Sequence, residues 1–263
     1  IGYRLYLDGR NAIDVFGKSE PGLALEKYAF GPGTYHDVQP WGVDVLHVGD
    51  TLGCGSFGFW IDGAIVKPVE TSRTPERKAL RRYAQIVADG PVRAIVRITY
   101  DNWPVAGALR TVRATMTIWG GRRWATCDLD VGAGWRPVVA AGVIAIPHAP
   151  MVRRPEFFYT FGDQTDPMSD TKKAESLGLG ILFGQEHFSA YRDEAPTAGA
   201  VIASDRSRAV LLTPDANGRA RWAYLAAWGR GPLGIRDAAG FESLCASAMA
   251  ELRATPEIAI TSP

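Results

Sequence analysis

The sequence predicts an all-β protein, a large antiparallel two-sheet β-sandwich forming one domain over residues 1–263, with one helix near the C-terminus. Three observations lead there. Apolar and polar residues alternate with a period of two through successive runs, the pattern of strands that bury one face. Gly-, Pro- and Asn-containing pairs of the kind that close hairpins separate those runs. A single segment near the C-terminus carries the wider spacing of an amphipathic helix. With 46% hydrophobic residues in 263, the chain can build a sizeable core, and sandwiches of this length are routinely one domain.

Taken in order, Tyr3 to Leu7 alternates, and Ala64 to Val69 is a short apolar strand after the turn Ile61-Asp62-Gly63. Ala84 to Asp89 and Val92 to Tyr100 flank Asp89-Gly90-Pro91, a good turn because glycine and proline supply its special dihedrals. Leu109 to Trp119 alternates most cleanly, with Val112, Ala114, Met116 and Ile118 on one face and Thr111, Arg113, Thr115 and Thr117 on the other. Gly120-Gly121 then leads into Trp124 to Val131. Ala140 to Ile146, Leu177 to Phe183, Ala198 to Ala203, Arg208 to Leu212 and Arg221 to Trp228 read as further strands, the last two joined through Asn217-Gly218. Asp237 is placed to cap a helix whose Phe241, Leu244, Cys245, Ala248 and Leu252 share a face. Pro256 stops it, Glu257 to Ile260 reads as an edge strand, and Met168 to Glu175 as a short loop helix.

Charge narrows the partners. The formal net charge is +1 with no long block of one sign, so nucleic acid is not an expected partner. The densest basic run, Arg73 to Arg82, reads as a solvated connection, or as a cationic rim that attracts an acidic saccharide. No apolar run is long enough for a membrane span, so no membrane partner is expected. The chain opens on Ile1 inside a strand-like run, so its natural start is expected upstream and a leader stays an open question. Cys54, Cys127 and Cys245 are far apart and read as small buried hydrophobes, with one disulfide as the alternative in an exported protein.

Residues 34–60 hold the densest collection of chemistry: Tyr35, His36, Asp37, Trp41, Asp44 and His47, with five glycines among them. Two of the four histidines sit there. The segment is too polar and too bent for an ordinary core strand and reads as a strand-loop-strand lining a cleft. Trp41 offers a plane for the C–H face of a pyranose, and His36 and Asp44 offer hydrogen bonds or proton transfer. A Gly-rich turn around a satisfied histidine is the plainer reading.

The run Arg10-Asn11-Ala12-Ile13-Asp14-Val15-Phe16-Gly17-Lys18, then Tyr35-His36, Trp41-Gly42-Val43-Asp44-Val45-Leu46, Val48-Gly49 and Leu52-Gly53-Cys54-Gly55, resembles domain-of-unknown-function family 4861. The C-terminal Ala226-Ala227-Trp228 and the helix around Phe241 fit as well, so the resemblance covers most of the chain. It implies a bacterial protein with a galactose-mutarotase-like supersandwich, periplasmic or secreted, that accompanies enzymes degrading uronate-rich polysaccharides. Members of the family often carry a lysine where this chain has His47, and an acidic, aromatic stretch ahead of the position of Ile1.

Uronate partners imply β-elimination by a lyase or dehydratase: a base removes the C5 proton, an acid assists the group leaving C4, and a cation neutralises the carboxylate. His36 is the expected base, with Tyr35 or Tyr100 as acid, and Asp44 orienting a histidine or capping a turn. His148, held between Pro147 and Pro150 after an apolar strand, is a second candidate imidazole, whereas His187 reads as a surface residue. Arg82, Arg122, Arg123 and Arg153 are the candidate carboxylate clamps, and Trp41 and Trp135 the candidate platforms. No His-x-His or Glu-x-x-His set makes a metal site, and no cofactor is expected, although scattered carboxylates are the kind of ligand Ca²⁺ takes. The competing readings are a glycoside hydrolase or sugar epimerase, drawing on Asp37, Asp44, Glu156 and Asp163, and a non-catalytic carbohydrate-binding module.

Overall fold

The computed structural model describes residues 1–25, 34–68, 80–165, 174–231 and 233–254. Its strands form three antiparallel sheets. A three-stranded sheet has the order β1 (Gly2–Leu5), β2 (Ile13–Lys18), β3 (Gly42–Asp44). A five-stranded sheet runs β14 (Phe188–Pro196), β15 (Arg206–Leu212), β10 (Val139–Ile144), β4 (Cys54–Ile61), β5 (Ala64–Val66). An eight-stranded sheet runs β11 (Val152–Arg154), β12 (Phe157–Thr165), β13 (Ala174–Phe183), β16 (Arg219–Trp228), β9 (Trp124–Asp130), β8 (Ala108–Trp119), β7 (Arg93–Val105), β6 (Arg81–Asp89). The result is an all-β sandwich; the small third sheet is an addition to the two that the sequence predicts.

The core lies between the two larger sheets. Phe57 of β4 inserts among three rings of the facing sheet, at 5.8 Å from Tyr100, 6.4 Å from Trp103 and 5.9 Å from Trp222. Each such aromatic pair adds about 0.5–1.5 kcal/mol beyond simple burial. Val112 and Ala114 of β8 point into this core, as their alternation predicts. The glycines of β4 are not loop-formers, and Cys54–Phe59 is a wholly buried core strand. A Cβ on Gly55 would lie 2.2 Å from the Tyr224 ring, so glycine lets the strand close on the opposite sheet.

The helix α1 (Ala238–Arg253) follows Asp237, whose carboxylate accepts the Gly240 N–H at 2.7 Å. Its buried Phe241, Cys245 and Ala248 cover the outer face of the eight-stranded sheet over Trp124, Leu182, Ala223 and Leu225. Gly178 of β13 leaves room for the Phe241 ring, which a Cβ there would meet at 2.4 Å.

Two sequence expectations change. Ala198–Ala203 is an exposed turn, and the strand lies earlier, at β14. The reason is local: Asp50 accepts the N–H groups of Val201 and Ile202 at 2.6 and 2.9 Å, replacing the partner that a strand would have supplied. Residues 174–175 open β13 instead of closing a helix, and Glu175 accepts the Trp228 Nε1–H at 2.7 Å. The remainder of that expected helix, Val69 of the expected second strand, Pro256 and the edge strand at 257–260 lie outside the described residues. The hairpins at Gly90, Gly121 and Gly218 stand as expected, and Asp215 locks the last by accepting the N–H groups of Asn217 and Arg219.

Candidate functional site

The small sheet assembles one wall of a cleft. Its register sets Arg4 directly opposite Asp14, and Phe16 beside Asp44, so all four side chains share a face. Arg4 Nη2 donates to Asp14 and lies 3.4 Å from Asp44 Oδ2. The Arg4 guanidinium also lies 4.8 Å from the centre of the Tyr6 ring and 5.1 Å from that of Tyr35. Aromatic faces attract a cation, so Arg4 is held by charge and by rings together. The backbone takes the remaining carboxylate oxygens: Val15 N–H donates to Asp14 Oδ1 at 2.8 Å and Leu46 N–H to Asp44 Oδ1 at 3.2 Å.

Burial shapes the protonation of this wall. Desolvation works against the Arg4 charge, yet Asp14 and Tyr6 outweigh it, and the pKa ends above the ordinary arginine value. Desolvation raises the Asp14 pKa above the ordinary carboxylate value although Arg4 pulls it down. Desolvation, with Asp14 second, pushes the Tyr6 phenol up to about 12, so it keeps its proton at neutral pH.

The opposite wall is the loop between β3 and β4 with a short 3₁₀ turn, Thr34–His36. Together they enclose about 420 Å³, with Tyr35, His36 and His47 facing Arg4, Tyr6, Arg10, Asp14 and Asp44 among the lining residues. The Tyr35 and His36 rings are 4.3 Å apart, both half-buried. Arg10 is exposed, lies 3.6 Å over the Tyr6 ring and is held by Asp8. Long-range contacts hold the loop rigid. Gln164 Oε1 accepts the His47 N–H at 2.9 Å, Asp205 accepts the Asp50 N–H at 2.8 Å, and Lys67 Nζ donates to the carbonyls of Asp50 and Thr51.

The cleft thus gathers Tyr35, His36 and Asp44 from the predicted site. The other predicted residues lie elsewhere. Tyr100 is 1% exposed and donates its hydroxyl to Asn11 inside the core, which corrects its expected role as an acid. Trp41 is 3% exposed and packs on Phe16, so it is core and not a platform. Trp135 is half-buried between Phe59 and the Arg110 guanidinium, which occupies its face. His148 stands exposed in the turn after β10 at φ 61 and does not line the cleft.

Of the predicted clamps, Arg82 reaches the Leu7 carbonyl at 3.3 Å and Arg153 lies 3.8 Å from Asp193. Arg122 pairs with Glu251 at 3.1 Å, and Arg123 donates to the Leu233 carbonyl. Those last two border a separate cavity of about 290 Å³ beside Lys18, Trp228 and Arg230. Arg73, Arg77 and Lys78 of the basic run are outside the described residues. Cys54, Cys127 and Cys245 are buried free thiols. Among the described residues no three His, Cys, Asp or Glu side chains group so as to hold a metal ion, and no helix is long and apolar enough to cross a membrane.

Arg4, Tyr6, Arg10 and Asp14 are the cleft residues that reading the sequence missed. One signal was present: Asp14 interrupts the apolar run Ile13-Asp14-Val15-Phe16, and a carboxylate forced into a buried strand needs a cation or a function. A family model described as a domain of unknown function (DUF4861) matches residues 1–258. No curated protein matches the chain.

Proposed function

The chain belongs to the DUF4861 family, and from that premise and the contents of the cleft we propose that it is a carbohydrate-active enzyme that performs β-elimination on a uronate-containing oligo- or polysaccharide. The observation that supports this most is the pairing of the Tyr35 and His36 rings, 4.3 Å apart, on a cleft that also carries Arg10. An imidazole and a phenol side by side supply the base and acid that the reaction needs, and an exposed guanidinium supplies the carboxylate clamp. In this reading Arg10 takes the role that the sequence had suggested for more distant arginines.

His36 takes the proton from C5, and the electron pair of that C–H bond becomes the C4–C5 double bond. The C4–O bond breaks, and the leaving oxygen takes a proton from Tyr35. Arg10 neutralises the carboxylate while charge builds at C5. A departing sugar makes the protein a lyase, and a departing water makes it a dehydratase. Arg4, engaged by two carboxylates, holds the wall in place.

A second reading, glycoside hydrolysis, has one observation in its favour. Asp14 and Asp44 converge on the same Arg4 nitrogen, and burial favours the protonated form of Asp14, as a general acid requires. The test is a panel of uronate polymers and oligomers followed by the ultraviolet absorbance of the unsaturated product. The wild type produces the signal, and His36→Ala loses about 100-fold or more of the rate. New reducing ends without absorbance select hydrolysis, and absence of the signal with every uronate substrate overturns the elimination.

A further inference from the structure

The outer face of the eight-stranded sheet has two unlike halves. One half is apolar and lies under α1. The other continues the same strands beyond the helix and changes character abruptly. Along β16, Ala223 and Leu225 give way to Arg221 and Arg219; along β9, Trp124 and Thr126 give way to Asp128 and Asp130. The register aligns these residues in two rows across the strands. One row runs Gln85, Arg97, Thr115, Asp128, Arg221, and the other Tyr83, Thr99, Arg113, Asp130, Arg219. Each row crosses five strands, about 19 Å at the usual strand spacing.

This face is a built depression of about 250 Å³, lined by four arginines against two aspartates. Arg221 lies 3.3 Å from Asp128 and Arg219 lies 3.7 Å from Asp130. Arg97 and Arg113 are exposed and have no ion pair among the described residues. Tyr83, half exposed on β6, closes one row with an aromatic ring.

We propose that this uncovered half-face is a second saccharide-binding site, which takes a chain of uronates by its carboxylates. The arginines suit carboxylates in bidentate geometry. Asp128 and Asp130 accept hydrogen bonds from sugar hydroxyls, which a saccharide carries along its whole length, so the mixture of arginines and acceptors favours an acidic saccharide. Tyr83 offers its ring to an apolar pyranose face. The rows are longer than one monosaccharide, which favours an oligomer. None of the residues lining this depression lines the cleft, so the site grips a polymer away from where the chemistry is proposed. The choice of a uronate ligand rests on the functional reading above.

The test is binding, measured by calorimetry on the full chain in a His36→Ala background so that no ligand is consumed. The probes are galacturonate and alginate octamers, with the methyl-esterified galacturonate octamer as neutral control. Adding Arg97→Glu and Arg113→Glu is expected to weaken binding of at least one acidic octamer tenfold or more, to flatten its salt dependence, and to leave the esterified octamer unaffected. Arg97→Gln with Arg113→Gln gives a smaller loss in the same direction and guards against a folding artefact. Unchanged affinity for both acidic octamers, or an equal loss for the esterified one, overturns the site. Failure of the absorbance assay in the previous subsection would sink the elimination chemistry and leave this binding result to be read by itself.

Discussion

Gln164 and His47 are 117 positions apart in sequence and exchange hydrogen bonds across the molecule. The Gln164 side-chain oxygen accepts the His47 N–H at 2.9 Å, and its amide nitrogen lies 3.5 Å from the His47 carbonyl. The pair ties the cleft loop to β12 of the large sheet, so the geometry of the cleft depends on a residue that does not line it. Gln164 is buried, and Gln164→Leu strands both backbone groups. The expected cost is about 1–3 kcal/mol in urea unfolding, together with faster hydrogen exchange at the His47 amide. Unaltered exchange at His47 would show that the loop holds itself.

Arg4 offsets the buried charge of Asp14 and Asp44. Arg4→Met leaves two buried carboxylates without their shared cation, a loss of about 3–5 kcal/mol at pH 7. The pH dependence has a definite sign. The Asp14 pKa is already raised above its unfolded value, so the folded state binds the proton more readily and gains stability as pH falls from neutral toward the ordinary carboxylate value. Removing Arg4 raises that pKa further. The deficit of the variant against wild type should therefore narrow on acidification toward pH 4, and a deficit constant with pH would count against the account.

Lys67 works in the opposite direction. It is 5% exposed, donates to two carbonyls behind the cleft loop, and burial lowers its pKa to about 8 from 10.5. The folded state pays for the charge at neutral pH, while the unfolded chain keeps its proton to higher pH. Stability from this group therefore rises as pH climbs from about 8 toward 10.5, by about 3 kcal/mol in total. Denaturation midpoints between pH 7.5 and 9.5 should rise in the wild type relative to Lys67→Met, whose profile lacks this component; parallel profiles would refute it.

The three thiols make a simple probe of the core. Cys54, Cys127 and Cys245 are buried, and desolvation raises the pKa of each well above the ordinary thiol value. Thiolate is the reactive form. A thiol reagent at pH 8 should label none of them in the native protein and all three after unfolding. Rapid native labelling of Cys245, which lies on the buried face of α1, would indicate that the helix detaches from the sheet.

The strands with clean alternation and a glycine turn at each end, such as Leu109 to Trp119, were legible because burial of one face writes a period of two into the chain. The helix was legible for the same reason at a longer period, and Asp237 marked its start. Strands buried on both faces left no such trace. Cys54–Phe59 carries Gly55 where the facing sheet comes too close for a side chain, and that closeness is a property of the opposite sheet, not of the local sequence. The false strand at Ala198–Ala203 arose similarly: its backbone partner is the carboxylate of Asp50, about 150 positions away.

The Tyr35-His36 pair drew notice from its own residue types, since an aromatic, an imidazole and nearby acids in one short window are unusual in a strand. Reading the chain in one dimension could establish the all-β class, the hairpins, the helix and that single polar hot spot, because each depends on neighbours within a few residues. It could not tell that Tyr100 and Trp41 turn inward, that His148 stands apart, or that Arg4 and Asp14 complete the cleft wall. Those outcomes follow from antiparallel register, which brings residues tens of positions apart into contact and assigns each side chain to the core or to the cleft. Register is a relation between strands, and it exists only once the sheets have formed.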